Sequence, residues 1–471
     1  MNTLYWHDYE TWGAKPSVDK PSQFAGVRTD DDLNIIGEPL VIFCRPNTDC
    51  LPQPQACLIT GITPQRAFLH GKLENDFFRL IHHELSTPGT CGVGYNSIHF
   101  DDEVTRYGLY RNFYDPYERE WKHGNSRWDI IDVVRLVYAL RPNSMSWPLR
   151  EDGSPSFKLE LLSKANGIEH TSAHDALSDV HATIALAKLI KEKEPKLYDY
   201  CYQLRDKQYV LDHIDIDGRK PFLHISSRFS ASNGCAALLV PLMRHPTNKN
   251  SVICYDLSVD PSPFIHLSSD EVIERIYVKA SALPAGIERI PLKEVHLNKS
   301  PMVITAKMLD DKTAQRLNIN KHQCELHWQQ LYHADLKAKL TTVYGDRVFA
   351  ASTDAEQNLY DGFIGDSDRA LLMDIRQASP QSLSLFTEKL KDKRLITLLF
   401  RYRARYYPET LTESEQYQWQ QWRYHRLTDE TMGASLTLTQ YFSGLEALSY
   451  NKEMDQDIIA DLMTFGDGLL N

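Results

Sequence analysis

The sequence predicts an α/β layer domain, then a β-rich middle domain, then an all-helical C-terminal domain. Three observations carry this reading. Short apolar runs alternate with helix-periodic ones up to about residue 190. Short β-type pieces punctuated by Pro, Asn and Ser fill the middle, and helical periodicity takes over from about residue 351. The domains so predicted are 1–195, 196–350 and 351–471, close to the usual size of about 150 residues each. In the first, residues 4–9, 39–44 and 91–95 read as strands, and 102–113, 130–140, 159–166 and 175–193 as helices, with Gly167 and Pro195 as stop signals. In the second, 222–226, 236–241, 252–255 and 292–297 read as strands of a small barrel or sandwich with a few helices attached. In the third, Thr412-x-x-Glu415 after Pro408 is a capping-box signature.

Composition narrows the function. With 42% hydrophobic and 24% charged residues the chain is an ordinary globular one, not disordered, collagen-like or a disulfide miniprotein. Its 52 basic and 63 acidic residues give a net charge of −11, a field that repels nucleic acid and anionic membranes. A polyanionic substrate therefore needs local basic patches or metal ions. No apolar run approaches the roughly 18 residues of a membrane span, and the first residues lack the basic and apolar regions of a signal peptide. The eight cysteines, at 44, 50, 57, 91, 201, 235, 254 and 324, include no C-x-x-C pair, which argues against a zinc ribbon or a disulfide framework. A reduced, cytoplasmic protein is expected.

Three acidic signals stand out. Residues i and i+2 of a strand share a face, so Asp8 and Glu10 project together. Such a pair is costly on a buried strand unless a cation or hydrogen bonds offset the repulsion; the alternative is a solvated strand end. Asp101 and Asp102 follow an apolar strand at the start of a helix, where a carboxylate serves as a cap or as a metal ligand from the first turn. His174 and Asp179 lie five residues apart, about 140° around a regular helix. They share a site only if His174 lies on the loop or first turn and Asp179 inside the helix, which leaves Asp175 as the cap.

The order Asp-x-Glu … Asp … His-x-x-x-x-Asp resembles the DEDDh family of 3′→5′ exonucleases, which have a ribonuclease H-like fold. The runs HDYETWG, PQPQACLITGITPQ, GYNSIHFDDEVTRYGLYRNFYDPY, NSRWDIIDVVRLVYALRP, SFKLELLSKANGIEH and AHDALSDVHATIALAKL carry the resemblance. KSP after Asn298 and LYDGF around Tyr360 extend it to the whole chain, and to family members in which an SH3-like domain and a C-terminal helical domain follow the exonuclease domain. It implies Mg²⁺-dependent, processive 3′→5′ hydrolysis of single-stranded DNA to 5′-mononucleotides, in repair and recombination. Two Mg²⁺ ions, with Mn²⁺ as a substitute, are the implied cofactors; hard oxygen ligands select these over zinc, and paired ions suit phosphodiester hydrolysis. By the same resemblance Asp8 bridges the metals, and Glu10 and Asp179 complete the tighter site. Asp101 belongs to the second site, His174 is the general base, and Glu10 doubles as a substrate contact.

Strand-binding candidates come partly from composition. Residues 106–128 interleave aromatic and basic side chains, the mixture single-strand binders use. Tyr117 and Trp121 are its candidate stacking residues, with burial in the core as the alternative. Arg106 and Arg135 are candidate phosphate contacts, with surface ion pairs as the alternative. Lys158 stands where relatives carry Arg, keeping the charge without the bidentate fork. Seven basic residues between 389 and 405 read as a solvated helix face or a polyanion-binding helix. The resemblance adds Lys207, Asn250, Lys293, Asn298 and Tyr360 as strand contacts, with the accessory domains forming a channel over the active-site domain. It also implies a partner, the acidic C-terminal tail of single-stranded DNA-binding protein, docking at Arg141 and Tyr200, with Asp310 where a basic residue is expected. A monomer is expected. The competing readings are a DEDDh exoribonuclease trimming RNA 3′ ends, which the chain length disfavours, and a catalytically dead strand-binding module.

Overall fold

A nine-residue strand, β1 (Thr3–Thr11), carries the first acidic pair. It runs antiparallel to β2 (Pro21–Thr29) and parallel to β4 (Thr90–Gly94), and β3 (Ile35–Phe43) adds antiparallel to β2. The resulting sheet is mixed, with the order β3-β2-β1-β4. The computed structural model describes residues 2–170, 174–345 and 352–469. They fall into two compact units: Met1–Ser126 with Thr171–His181 and Ala350–Asn471, and Arg127–His170 with Ala182–Phe349.

In the first unit, Tyr9 and Phe24 of the sheet meet Phe77 and Phe78 of helix α3 (Glu74–Leu85), which follows α1 (Pro54–Thr60) and α2 (Pro64–His70). Helix α4 (Asp101–Arg111) packs on α3 through Gly108, where a Cβ would lie 1.8 Å from the Phe78 ring. Sequence periodicity gave no sign of β2, because it is buried on both faces and shows no polar alternation. Beyond residue 352 the described chain is helical, with longer helices at Asp366–Gln377, Lys393–Tyr406, Glu413–Thr428, Leu438–Ser449 and Gln456–Gly468. The predicted capping box is formed: Thr412 Oγ1 accepts from the Glu415 N–H, and the Thr412 N–H donates to the Glu415 carboxylate.

The basic run divides: Lys389, Lys391 and Lys393 are exposed, as a solvated face requires, whereas three arginines of helix Lys393–Tyr406 correct the sequence reading. Arg401, Arg403 and Arg405 are neither a solvated face nor a polyanion surface. Their side chains are at most 7% exposed and pair with Asp354 and Glu356, with Glu415, and with Asp49 and Glu356, respectively. Counting neighbouring charges along the chain misses these partners, since Asp49 and Asp354 come from remote segments.

The chain enters the second unit within β5 (Ser126–Asp129), whose last residue caps helix α5 (Ile130–Leu140) by accepting from the Ile131 N–H. Helix α6 (Leu159–Ala165) follows, and α7 (Ala176–Lys193) spans the border of the units. Strands β6 (Phe222–Ile225), β7 (Ala236–Arg244), β8 (Ser251–Asp256), β9 (Leu292–His296) and β10 (Met302–Thr305) form an antiparallel sheet in the order β10-β6-β7-β8-β9. Four of these were expected; β10, four residues long, was not. The eight cysteines are free thiols. Among the described residues no helix is long and apolar enough to cross a membrane.

Candidate active site

Strand β1 outruns its parallel neighbour. β4 pairs with Thr3 through Trp6, so Asp8 and Glu10 lie past its end, in register with Ala25 and Gln23 of β2. At Gly94 the chain passes close to β1: a Cβ there would lie 2.6 Å from that of Ser97 and 2.9 Å from the His7 carbonyl. It then turns and opens α4 with Asp101. The first turn of α4 thus sits at the C-terminal ends of two parallel strands, where open α/β sheets bind ligands. The Asp101 carboxylate accepts from the Tyr9 N–H at 3.0 Å, between the two β1 carboxylates, and Tyr9 Oη bonds Thr105 Oγ1 at 2.9 Å, fastening helix to strand. Neither Asp101 nor Asp102 is the N-cap of α4: that position is Phe100, which makes no side-chain cap bond. Asp102 instead takes a buried hydrogen bond from Arg119 at 2.5 Å.

Helix α7 supplies the rest. The Ala176 N–H donates to Gln23 Oε1 at 3.4 Å, tying the helix start to the residue registered with Glu10. Asp175 accepts from the Ser178 N–H at 3.2 Å, as a capping residue does. His174 precedes the helix with φ +66°, a left-handed conformation that costs energy in a non-glycine residue and is found preferentially at functional sites. Asp179 lies inside the helix. The condition set from the sequence is met, and Glu10, His174 and Asp179 offer ligand atoms all within 4.8 Å of one another.

The electrostatics of the cluster are those of a cation site. Burial, then the charges of Asp101, Glu10 and Asp179, hold the Asp8 carboxyl well above the ordinary carboxylate range. Burial, then Asp179 and Asp101, push Glu10 up to about 8. Carboxylates that raise one another in this way are relieved by a divalent cation. A set of hard oxygens with one imidazole fits Mg²⁺ or Mn²⁺. Beside Glu10 opens a cleft of about 420 Å³, walled by Thr11, Gly13, Asp19, Gln53, Ile59 and Phe100 among others. Sequence reasoning missed these walls and Gln23, because strand register and loop packing bring them to the site and no local pattern marks them.

The strand-contact candidates fall into different environments. Arg106 is buried and forked onto Glu120 at 2.7 and 2.8 Å, with Glu103 at 2.7 Å, so the ion-pair alternative describes it in this structure. Tyr360 Oη joins the same group, bonded to Glu103 and Arg106. Tyr107, Tyr110, Phe113 and Tyr114 are core. Tyr117 is half-buried under the Arg106 guanidinium, whereas Trp121 is 64% exposed. Within the second unit Arg135 pairs with Asp132 at 2.6 Å, exposed Lys158 lies 3.5 Å from Glu160, and Lys207 bonds Asn250. Lys293 donates to Ser226 Oγ at 3.2 Å, and the carbonyl of exposed Asn298 accepts from Arg127 at 3.0 Å. Arg141 pairs with Glu194 at 3.4 Å, and half-buried Tyr200 donates to the Val303 carbonyl. Asp310 caps helix Asp311–Arg316 by accepting from the Thr313 N–H at 2.7 Å.

Comparison with known proteins covers the same ground. Residues 5–187 match the family model Exonuclease, 205–346 the Exonuclease I SH3-like domain, and 353–469 the Exonuclease I C-terminal domain. The chain is 45% identical to exodeoxyribonuclease I of Escherichia coli (strain K12) over 432 residues, 91% of each protein. Among solved structures it superposes on the moderately thermophilic exonuclease I of Methylocaldum szegediense with a TM-score of 0.95 and 46% identity, covering all of both chains. It also superposes on two further exonuclease I structures, the first from E. coli, with 42% identity and full coverage of both chains. The first is the zinc ion bound form of the complex with single-stranded DNA, TM-score 0.94, and the other is described as SSB/Exonuclease I in complex with an inhibitor, TM-score 0.92.

Proposed function

The chain belongs to the exodeoxyribonuclease I family of 3′→5′ exonucleases that act on single-stranded DNA, and we propose that it removes 5′-mononucleotides processively from the 3′ end in repair and recombination. One observation carries the site assignment: the convergence of Glu10, His174 and Asp179 within 4.8 Å, beside carboxyls that raise one another. In this reading Asp8, Glu10, Asp101 and Asp179 hold two Mg²⁺ ions, with Mn²⁺ as a substitute. Bound there, the ions lower the pKa of the attacking water and neutralise charge on the phosphate and the leaving oxygen. His174 takes the proton of the attacking water, the ordinary task of an imidazole near neutral pH. It lies on the turn ahead of α7, with a ring nitrogen within 4.8 Å of carboxylate oxygens of Glu10 and Asp179.

The same reading gives the family's three domains the bounds 1–195, 196–350 and 351–471 and a cytoplasmic, monomeric enzyme. Exposed Trp121 stacks on bases, while Lys158, Lys207, Asn250, Lys293, Asn298 and Tyr360 contact the strand. Arg106 and Arg135 contribute less to phosphate binding, since carboxylates engage them. The tail of single-stranded DNA-binding protein docks at Arg141 and Tyr200, weakened by the negative charge of Asp310. The E. coli relative's complex with single-stranded DNA supports the substrate, and that complex being a zinc ion bound form supports use of a divalent ion.

The test is digestion of a 5′-labelled single strand in Mg²⁺, beside duplex DNA and RNA, with Asp179→Ala as the blank. Stepwise loss from the 3′ end of single-stranded DNA, absent in the variant, is expected. Faster loss from RNA would hand the site to the exoribonuclease reading, and tight binding without loss would favour a dead binding module.

A further inference from the structure

A buried ion network joins both walls of the cleft beside Glu10 to the C-terminal helices. One wall is the loop between β1 and β2. It is closed by Thr11 Oγ1 donating to the Gly13 carbonyl at 2.6 Å, the Lys15 N–H donating to Asp19 at 2.8 Å, and the Trp12 N–H donating to the Lys20 carbonyl at 2.9 Å. The other wall leads through Gln53 into α1, and the Gln53 N–H donates to the Trp12 carbonyl at 2.7 Å. The walls meet at Gly13, where a Cβ would lie 2.4 Å from the Asp19 carboxylate and 2.7 Å from the Gln53 side chain. A small displacement of either wall therefore changes the cleft.

Each wall ends on a buried charge. Lys20, on the first, pairs with one oxygen of Glu356. Asp49, four residues ahead of Gln53, takes both arms of Arg405 at 3.0 and 2.7 Å. The two pairs are joined, because Arg405 also reaches the second oxygen of Glu356 at 2.5 Å. Lys20, Asp49, Glu356 and Arg405 are each at most 5% exposed. Lys20, Glu356, Arg405 and Asp49 thus form a buried chain of ion pairs, which Arg401 joins at 3.3 Å from Glu356, and breaking one pair strands its neighbours.

On the exonuclease reading of the site, we infer that Lys20 and Asp49 are positioning residues. Through Glu356 and Arg405 they hold the cleft at the width a terminal nucleotide needs beside Glu10. The C-terminal helices thus act on the chemical step and not on strand retention alone. A reacting group displaced by about 1 Å costs up to roughly a hundredfold in rate.

The experiment compares the full-length wild type with Lys20→Met, Asp49→Asn and a control, Arg403→Met. The control, on the same helix as Arg405, breaks a pair that points the other way along the chain: Arg403 bonds Glu415 of the next helix at 2.6 Å and the Thr410 carbonyl at 2.8 Å. Turnover and KM on single-stranded DNA are measured with the affinity for deoxythymidine 5′-monophosphate in Mg²⁺. Lys20→Met is expected to lose about tenfold or more in kcat, with KM within about twofold and weaker mononucleotide binding. Arg403→Met should keep wild-type kcat despite its own loss of stability. Should Lys20→Met not fold, Asp49→Asn carries the same test from the other wall. Equal behaviour of the wall variants and Arg403→Met in both assays overturns the inference. A wild type that binds the mononucleotide but leaves DNA intact overturns the exonuclease reading instead, and the binding comparison still decides this one.

Discussion

Replacing Glu10 by Gln is expected to stabilise the metal-free protein while blunting its response to Mg²⁺. Burial and the neighbouring aspartates push the Glu10 carboxyl from 4.5 up to about 8. A raised pKa means that the folded protein holds the proton more tightly than the unfolded chain does, so ionised Glu10 works against folding. The penalty is absent below about pH 4.5, grows by ~1.4 kcal/mol per pH unit above it, and levels off near pH 8. At pH 7, about 2.5 pH units into that window, it amounts to ~3 kcal/mol; at pH 5 it is ~1 kcal/mol. Gln has the same shape and no charge. At about 2 °C per kcal/mol for a unit of this size, the variant should melt about 6 °C above wild type in EDTA at pH 7, and about 2 °C above it at pH 5. Thermal melts of the full chain at the two pH values, with and without Mg²⁺, read this directly. Mg²⁺ should raise the wild-type midpoint more than that of the variant. A Glu10→Gln protein that melts below wild type in EDTA at pH 7, or a gap that ignores pH, would refute the reasoning.

Other outcomes follow from packing and capping. Glu356→Ala leaves Lys20, Arg401 and Arg405 without their shared carboxylate, and urea unfolding should report a loss of about 3–5 kcal/mol. Gly108→Ala drives a methyl group into the Phe78 ring. The expected cost is about 1–3 kcal/mol by thermal melting, with reduced metal affinity, since α4 carries Asp101. Thr412→Ala removes a complete capping box and should cost about 1 kcal/mol with turnover unchanged.

Much of the site was legible in the sequence because its parts are local. The two-residue period of a strand puts Asp8 and Glu10 on one face whatever surrounds them. The start of α7 fixes Asp175 as a cap and sets the one geometry in which His174 and Asp179 meet. The capping box of Thr412 and Glu415 is likewise complete within four residues. What the sequence left open depends on partners far along the chain. Asp101 and Asp102 are equivalent as letters, yet the close approach at Gly94 turns the first toward the Tyr9 N–H and leaves the second to Arg119. The arginines of helix Lys393–Tyr406 resemble a basic surface until Asp49, Asp354, Glu356 and Glu415 come to meet them. Backbone periodicity belongs to a short segment and can be read from it. The partner of a buried charge is chosen by desolvation, which rewards only the carboxylate that packing brings within reach, and that choice exists only once the chain has folded.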